Sequence, residues 1–168
     1  MGLAVITGGG RGIGAAISRR LAKDGHQILL TYNTDSQSAE SVIADLRKDN
    51  VDCVAAKVDC GNTDEVFILA DHPWMKNGVD ILVLNHGMYQ RSSAKELTLD
   101  ELELTMDVNF KGSVAVYTAL CPHLNNSAKI TKMSRDSAKR FNTSFAKSFD
   151  FAMEFSTSIS KNKDLLSL

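Results

Sequence analysis

The sequence predicts an α/β fold, a parallel sheet doubly wound with helices on both faces. Two observations carry that prediction. Short apolar runs without in/out alternation recur along the chain with helical patterns between them, and a strand buried on both faces reads as such a run. The first run also passes through a glycine-rich turn straight into a helical pattern, over Leu3 to Ala22, LAVITGGGRGIGAAISRRLA. With 168 residues, the chain suits one domain that buries roughly 70% of its unfolded surface.

Leu3 to Ile6 reads as the first strand, and the following helix carries Ile13, Ala16, Ile17 and Leu21 at helical spacing. Ile28 to Leu30 reads as a second strand, and Ser36 to Lys48 as a helix with Ala39, Val42, Ile43 and Leu46 facing inward. Val51 to Val58 reads as a third strand, Thr63 to Ala70 as a helix, and Ile81 to Leu84 as a fourth strand. Leu97 to Met106 and Val108 to Leu120 follow as helices, and the fifth strand begins around Ala128 to Ile130. Strands and helices alternating in this way build a Rossmann-like sheet, expected in the order 3-2-1-4-5.

The bulk properties narrow the function classes. Net charge −1 and 43% apolar residues describe an ordinary globule, with no footprint for nucleic acid or membrane. No apolar run approaches the ~20 residues that span a bilayer. The opening MGLAVITGGG lacks a basic n-region, so no secretory leader is expected and the expected compartment is cytoplasmic. Cys53, Cys60 and Cys121 are odd in number and without CxxC spacing. They read as small apolar residues in a reducing environment, and no metal site is expected.

Ligands in such sheets bind beyond the carboxyl ends of the strands, at the switch point beside the first strand. Those ends hold Thr7 to Gly14, Thr31 to Thr34, Asp59-Cys60 and Asn85-His86-Gly87. Glycines let bare backbone approach a pyrophosphate, which would sit on the helix N-terminus against unpaired N–H groups. Asp59 either accepts a hydrogen bond from an adenine amino group or caps a helix. Asn85 and Gly87 either form a binding turn or merely end a strand. About 20 residues after the glycine loop an acid normally meets a free ribose 2′-hydroxyl. Here Tyr32-Asn33-Thr34 stands instead, with Asp35 arriving late. Arg11 lies in the loop, either as a partner for a 2′-phosphate or as a solvated charge. This pattern favours NADP(H) over NAD(H), with NAD still open.

With these tips aligned, residues 1 to 130 resemble a short-chain dehydrogenase/reductase of the classical type. The Thr-Gly-x-x-x-Gly-x-Gly loop is matched by Thr7, Gly8, Gly12 and Gly14, and the acid after the third strand by Asp59. The Asn-Ala-Gly turn is matched by Asn85 and Gly87, with His86 in the alanine's place. The helix asparagine is matched by Asn109 in Met-Asp-Val-Asn-Phe-Lys-Gly. The resemblance implies hydride transfer between a nicotinamide dinucleotide and a small carbonyl or alcohol. It implies Thr7, Gly8, Gly10, Arg11, Gly12, Ile13, Gly14, Tyr32, Asn33, Asp59, Asn85 and Gly87 as the cofactor-binding set, with Asn109 and Ser134 as catalytic candidates. The loop TGGGRGIG is similar to those of relatives that often prefer NADP(H). The family pairs through helices flanking the fifth strand, which offers Val108 to Leu120 as a surface for a homo-oligomer.

The match then stops. The family's Tyr-x-x-x-Lys pair puts a proton donor and a lysine on one helix face. The tyrosines here are Tyr32, Tyr89 and Tyr117, followed four residues later by Ser36, Ser93 and Cys121. Ser134 lies near the family's serine, although the better register puts Arg135 there. Lys147 has no tyrosine partner. Composition also shifts: all 11 glycines lie at or before Gly112, and residues 131 to 168 hold 8 serines and no valine, glycine or proline. Residues 1 to 130 carry net charge −4 and the remainder +3. The expected organisation is a binding domain over 1–130 and a divergent tail over 131–168, helical or partly disordered. Ala138, Phe141, Phe145, Phe149 and Met153 would form its apolar stripe. A shifted reading frame would account for such a break.

Three functions follow from the sequence. The first is an NADP(H)-binding oxidoreductase domain with little or no turnover. The second is a non-catalytic nucleotide-sensing or partner-binding module. The third is a dehydrogenase using Tyr89, His86 or Ser134 as a substitute acid.

Overall fold

A computed structural model describes residues 2–89 and 98–133. Five parallel strands form one sheet in the order β3-β2-β1-β4-β5. They are β1 (Leu3–Ile6), β2 (Gln27–Tyr32), β3 (Cys53–Lys57), β4 (Val79–Leu84) and β5 (Leu124–Lys132). The helices are α1 (Gly12–Lys23), α2 (Ser36–Lys48), α3 (Thr63–Ala70), α4 (Leu99–Met106) and α5 (Gly112–Leu120).

Every residue of β1 is buried, because the central strand sends alternate side chains into two separate cores. Leu3 and Val5 join Leu29, Leu82 and Leu84 beneath α3 and α5, where Val66, Leu69, Val116 and Leu120 cover them. Ala4 and Ile6 join Ile28 and Leu30 on the opposite face, under Ala39, Val42, Ile43 and Leu46 of α2. The inward face expected for α2 is the buried one.

Helix α1 packs differently from expectation. Ile13 is 55% exposed and Ala16 is exposed, while Gly14, Ala15, Ser18 and Ala22 are buried. The helix lies close on the sheet through small residues, so the face that packs is the small one and not the most apolar one. Ser18 is accommodated there because its hydroxyl donates to the Gly14 carbonyl at 3.0 Å.

Three boundaries also move. β3 is shorter than the run Val51 to Val58, starting at Cys53 and ending at Lys57. β5 starts at Leu124, earlier than the apolar pattern suggests, and runs on to Lys132. The continuous helix expected over Val108 to Leu120 opens with a π-helical turn, Asp107–Lys111, before α5 proper. Thr98 caps α4 reciprocally with Glu101, which sets that helix's start.

Register brings the strand tips level. Ile6 stands beside Leu30 and Val83, and Leu84 stands beside Lys132. The turns after β1, β2, β3 and β4 therefore meet at one edge of the sheet.

Candidate functional site

A cleft of about 370 Å³ lies at that edge. Its walls come from the glycine turn (Gly8, Gly10 to Gly14), the β2 tip (Thr31 to Asp35) and the β4 tip (Asn85 to Gly87), with Val58, Cys60 and Val108.

The turn after β1 is bare backbone by necessity. Gly8 has φ 63°, a conformation glycine adopts at little cost. A Cβ on Gly14 would stand 2.2 Å from the Gly8 carbonyl oxygen and 2.5 Å from Asn85 Nδ2. A Cβ on Gly10 would stand 2.9 Å from the Ala39 Cα and Cβ atoms. Arg11 occupies the N-cap of α1 in extended backbone and makes no side-chain cap hydrogen bond. The first-turn amides therefore reach the cleft wall without a capping acceptor, which is the arrangement an anion completes.

Below the turn, Thr7 and Asn85 lock β1 to β4. Asn85 Nδ2 donates to the carbonyls of Thr7 at 3.1 Å and Gly8 at 3.0 Å. Thr7 Oγ1 accepts from the backbone N–H of Asn85 at 3.0 Å and of His86 at 3.2 Å. Gly8 N–H donates to Thr31 Oγ1 at 3.2 Å, which joins the β2 tip to the same turn. Thr7 is fully buried, so it supports the cleft from beneath rather than lining it.

At the β2 tip, Tyr32 and Asn33 line the cleft, followed by Thr34 and Asp35. Asp35 caps α2 by accepting from Ser38 N–H at 3.0 Å. The Ser38 hydrogen bonds hold its carboxyl below the ordinary range, and the Arg11 charge adds to that effect. Asp59 Oδ1 accepts from Gly61 N–H at 2.9 Å. The α3 N-cap itself is Asn62, whose side chain accepts from Asp64 and Glu65 N–H.

His86 is the buried group at the centre. Its Nδ1 lies 2.6 Å from Thr7 Oγ1 and its Nε2 3.2 Å from Ser113 Oγ. Burial, helped by the positive charge of Lys132, pushes its pKa down to about 3. A ring that is uncharged at neutral pH has no readily donated proton, which disfavours His86 in the role of a substitute acid. Lys132 Nζ donates to the His86 carbonyl at 3.3 Å, and burial lowers its pKa to about 8. Burial likewise pushes the Cys60 thiol up to about 12, so it stands as an inert wall.

Asn109 sits within the π-helical turn. Its Oδ1 accepts from Met88 N–H at 2.8 Å and its Nδ2 donates to the Met88 carbonyl at 2.9 Å. The amide thus fixes the chain just after Gly87, beside the cleft. Ser134, the other catalytic candidate, lies outside the described residues, as do Arg135, Lys147 and the phenylalanine stripe.

Sequence reasoning reached Thr31 as part of the β2 tip but passed over Val58, Val108, Ser113 and Lys132. Val58 directly follows β3, a strand end where a ligand edge could have been sought. Val108 lies within the π-helical turn and Ser113 in the first turn of α5, which periodicity alone does not single out.

The family model for short chain dehydrogenases matches residues 2–145. A short chain dehydrogenase/reductase of Cryptosporiopsis sp. is 33% identical over 140 residues, covering 83% of this chain and 53% of the relative. The versicolorin reductase of Emericella nidulans is 31% identical over 137 residues, covering 81% of this chain and 52% of the relative. The chain therefore spans about half the length of these curated relatives. Among solved structures, a short chain dehydrogenase from Burkholderia cenocepacia in complex with NADP superposes with TM-score 0.77 at 31% identity. That match covers 86% of this chain and 60% of the other. A blue fluorescent protein from a metagenomic library, in complex with NADPH, gives TM-score 0.75 at 30% identity and covers 83% and 59%. Sheet order, glycine turn and family match agree, and the chain belongs to the short chain dehydrogenase family.

Proposed function

We propose that the cleft binds NADP(H) and that the chain forms the nucleotide-binding part of an oxidoreductase acting on a small carbonyl or alcohol. The observation that carries this reading is the uncapped first turn of α1 facing a cleft where Gly10 and Gly14 admit no side chain. A diphosphate would rest on the amides of Gly12 to Gly14, where the helix dipole favours negative charge. When bound, the nicotinamide supplies or accepts the hydride. The chain's own contribution is to hold the turn rigid through Thr7 and Asn85, and to fix the segment after Gly87 through Asn109.

Preference for NADP(H) rests on the β2 tip. Tyr32, Asn33 and Thr34 present no carboxylate to a ribose hydroxyl, and Asp35 is committed to capping α2. Arg11 stands across the cleft as a cation for a 2′-phosphate. The sequence contains no Tyr-x-x-x-Lys pair, so the chain as given is read as binding with little or no turnover.

Fluorescence titration with NADPH and NADH tests the reading. Arg11→Ala should weaken NADPH about tenfold, the scale of one charge-assisted contact, and leave NADH unchanged. Equal losses for both nucleotides would make Arg11 an ordinary surface charge. Failure of both to bind the wild-type chain would overturn the reading itself.

A further inference from the structure

We propose that His86 is a positioning residue: a neutral imidazole, protonated on Nε2, that ties the glycine turn to the first turn of α5. Hydrogen-bond accounting fixes the tautomer. The Ser113 hydroxyl donates to the Asn109 carbonyl at 2.8 Å, so its oxygen is left to accept from His86 Nε2–H at 3.2 Å. Nδ1 is then bare and must accept. Thr7 Oγ1 already accepts from two backbone N–H groups, which occupies both its lone pairs. Its single hydrogen has two acceptors to choose from, Nδ1 at 2.6 Å and the Val83 carbonyl at 3.3 Å. The shorter contact wins, because the Val83 carbonyl is already served by Thr7 N–H at 3.0 Å.

An imidazolium would break this pattern, since a second ring N–H would meet a Thr7 oxygen with no lone pair to spare. Among the described residues, the groups facing the ring are Thr7 from the turn after β1, Ser113 from α5, the Val108 carbonyl from the π-helical turn and the Lys132 cation from β5. The Val108 carbonyl favours added charge on the ring and Lys132 repels it, with burial outweighing both. The imidazole thus links the turn that would hold the diphosphate to the helix that follows Asn109, whose side chain holds Met88. The inference rests on the nucleotide reading for its consequence in binding, and on the hydrogen bonds alone for its geometry.

The test has two arms. Long-range proton–nitrogen NMR of the full chain should show one histidine as the Nε2–H tautomer, unchanged between about pH 5.5 and 8, where a free histidine titrates. Hydrogen exchange without nucleotide should quicken about tenfold across residues 7–14 and 109–116 in His86→Ala. His86→Gln should restore it, because an amide also presents an acceptor and a donor side by side. Affinity for NADPH should follow the exchange. A ring that titrates in that range, an Nδ1–H tautomer, or exchange in a folded His86→Ala equal to wild type would overturn the inference. Should His86→Ala not fold, the wild-type tautomer and the exchange of His86→Gln decide it. Absence of NADPH binding by wild type, with both arms as expected, would sink only the nucleotide reading.

Discussion

Glycines at the tip of β1 look interchangeable in the sequence, yet they meet different surroundings. An alanine methyl at Gly14 would collide with the Gly8 carbonyl at 2.2 Å, and a backbone oxygen held by Asn85 cannot yield. Gly12 has φ 53°, and a Cβ there would meet nothing within 4 Å. Gly14→Ala should therefore cost roughly 2–4 kcal/mol and abolish NADPH binding. Gly12→Ala should cost only about 1 kcal/mol of backbone strain. Thermal melts beside NADPH titrations separate the two, and equal losses would refute the steric argument. The sequence could announce that glycine was needed in the turn. It could not rank Gly12 against Gly14, because the discriminating atoms belong to Gly8 and to Asn85, far along the chain. The same holds for His86, whose Thr7 partner is 79 positions away. At sequence level it reads as a turn residue; in the fold it is the buried hub of three elements.

Elements with their own local signals were readable in advance. The helices over Ser36–Lys48 and Thr63–Ala70 stand at the predicted bounds, since Asp35 and Asn62 cap them and their apolar spacing is regular. Elements decided by their neighbours were not. Asn125, Asn126 and Ser127 have poor strand propensity, yet they stand within β5, between its Leu124 and Lys129 pairings to β4, where the register shifts. The π-helical turn likewise has no signature in periodicity. β5 also carries a cation inward at its end. Lys132 is held at about 8 by burial, below its ordinary 10.5. The folded state therefore bears an uncomfortable ammonium at all pH values below about 8, and sheds that penalty as pH climbs towards 10.5. Replacing it with an apolar side chain of similar length should stabilise the sheet edge by about 1 kcal/mol at pH 7, less whatever the His86 carbonyl contact contributes. The advantage of Lys132→Met should shrink as pH rises from 8 to 10.5. Urea midpoints of both proteins at pH 7 and pH 10 give the comparison, and a gap that widens with pH would contradict it.

For the molecule as a whole, the buried hub sets the acid limit of stability. His86 has its proton affinity lowered from 6.5 to about 3 by burial and by Lys132. Between those values the unfolded chain binds a proton that the folded chain refuses, so stability falls as pH drops below about 6.5 and levels off only near 3. At pH 4 the expected loss is about 3 kcal/mol, from a gap of two to three units at 1.4 kcal/mol each. Carboxylates whose pKa is lowered by hydrogen bonds, such as Asp35 and Asp45, also lose stabilising contacts on the acid side. They remain in His86→Gln, and the difference between the two proteins isolates the imidazole. Wild type should be the more stable at pH 7, where its hydrogen bonds are complete and no charge is buried. Its margin over His86→Gln should close or reverse by pH 4, because glutamine has no proton to gain. Denaturant midpoints across that range would show it, and parallel curves would mean that the ring titrates like a free histidine and that the polar hub is not closed to water.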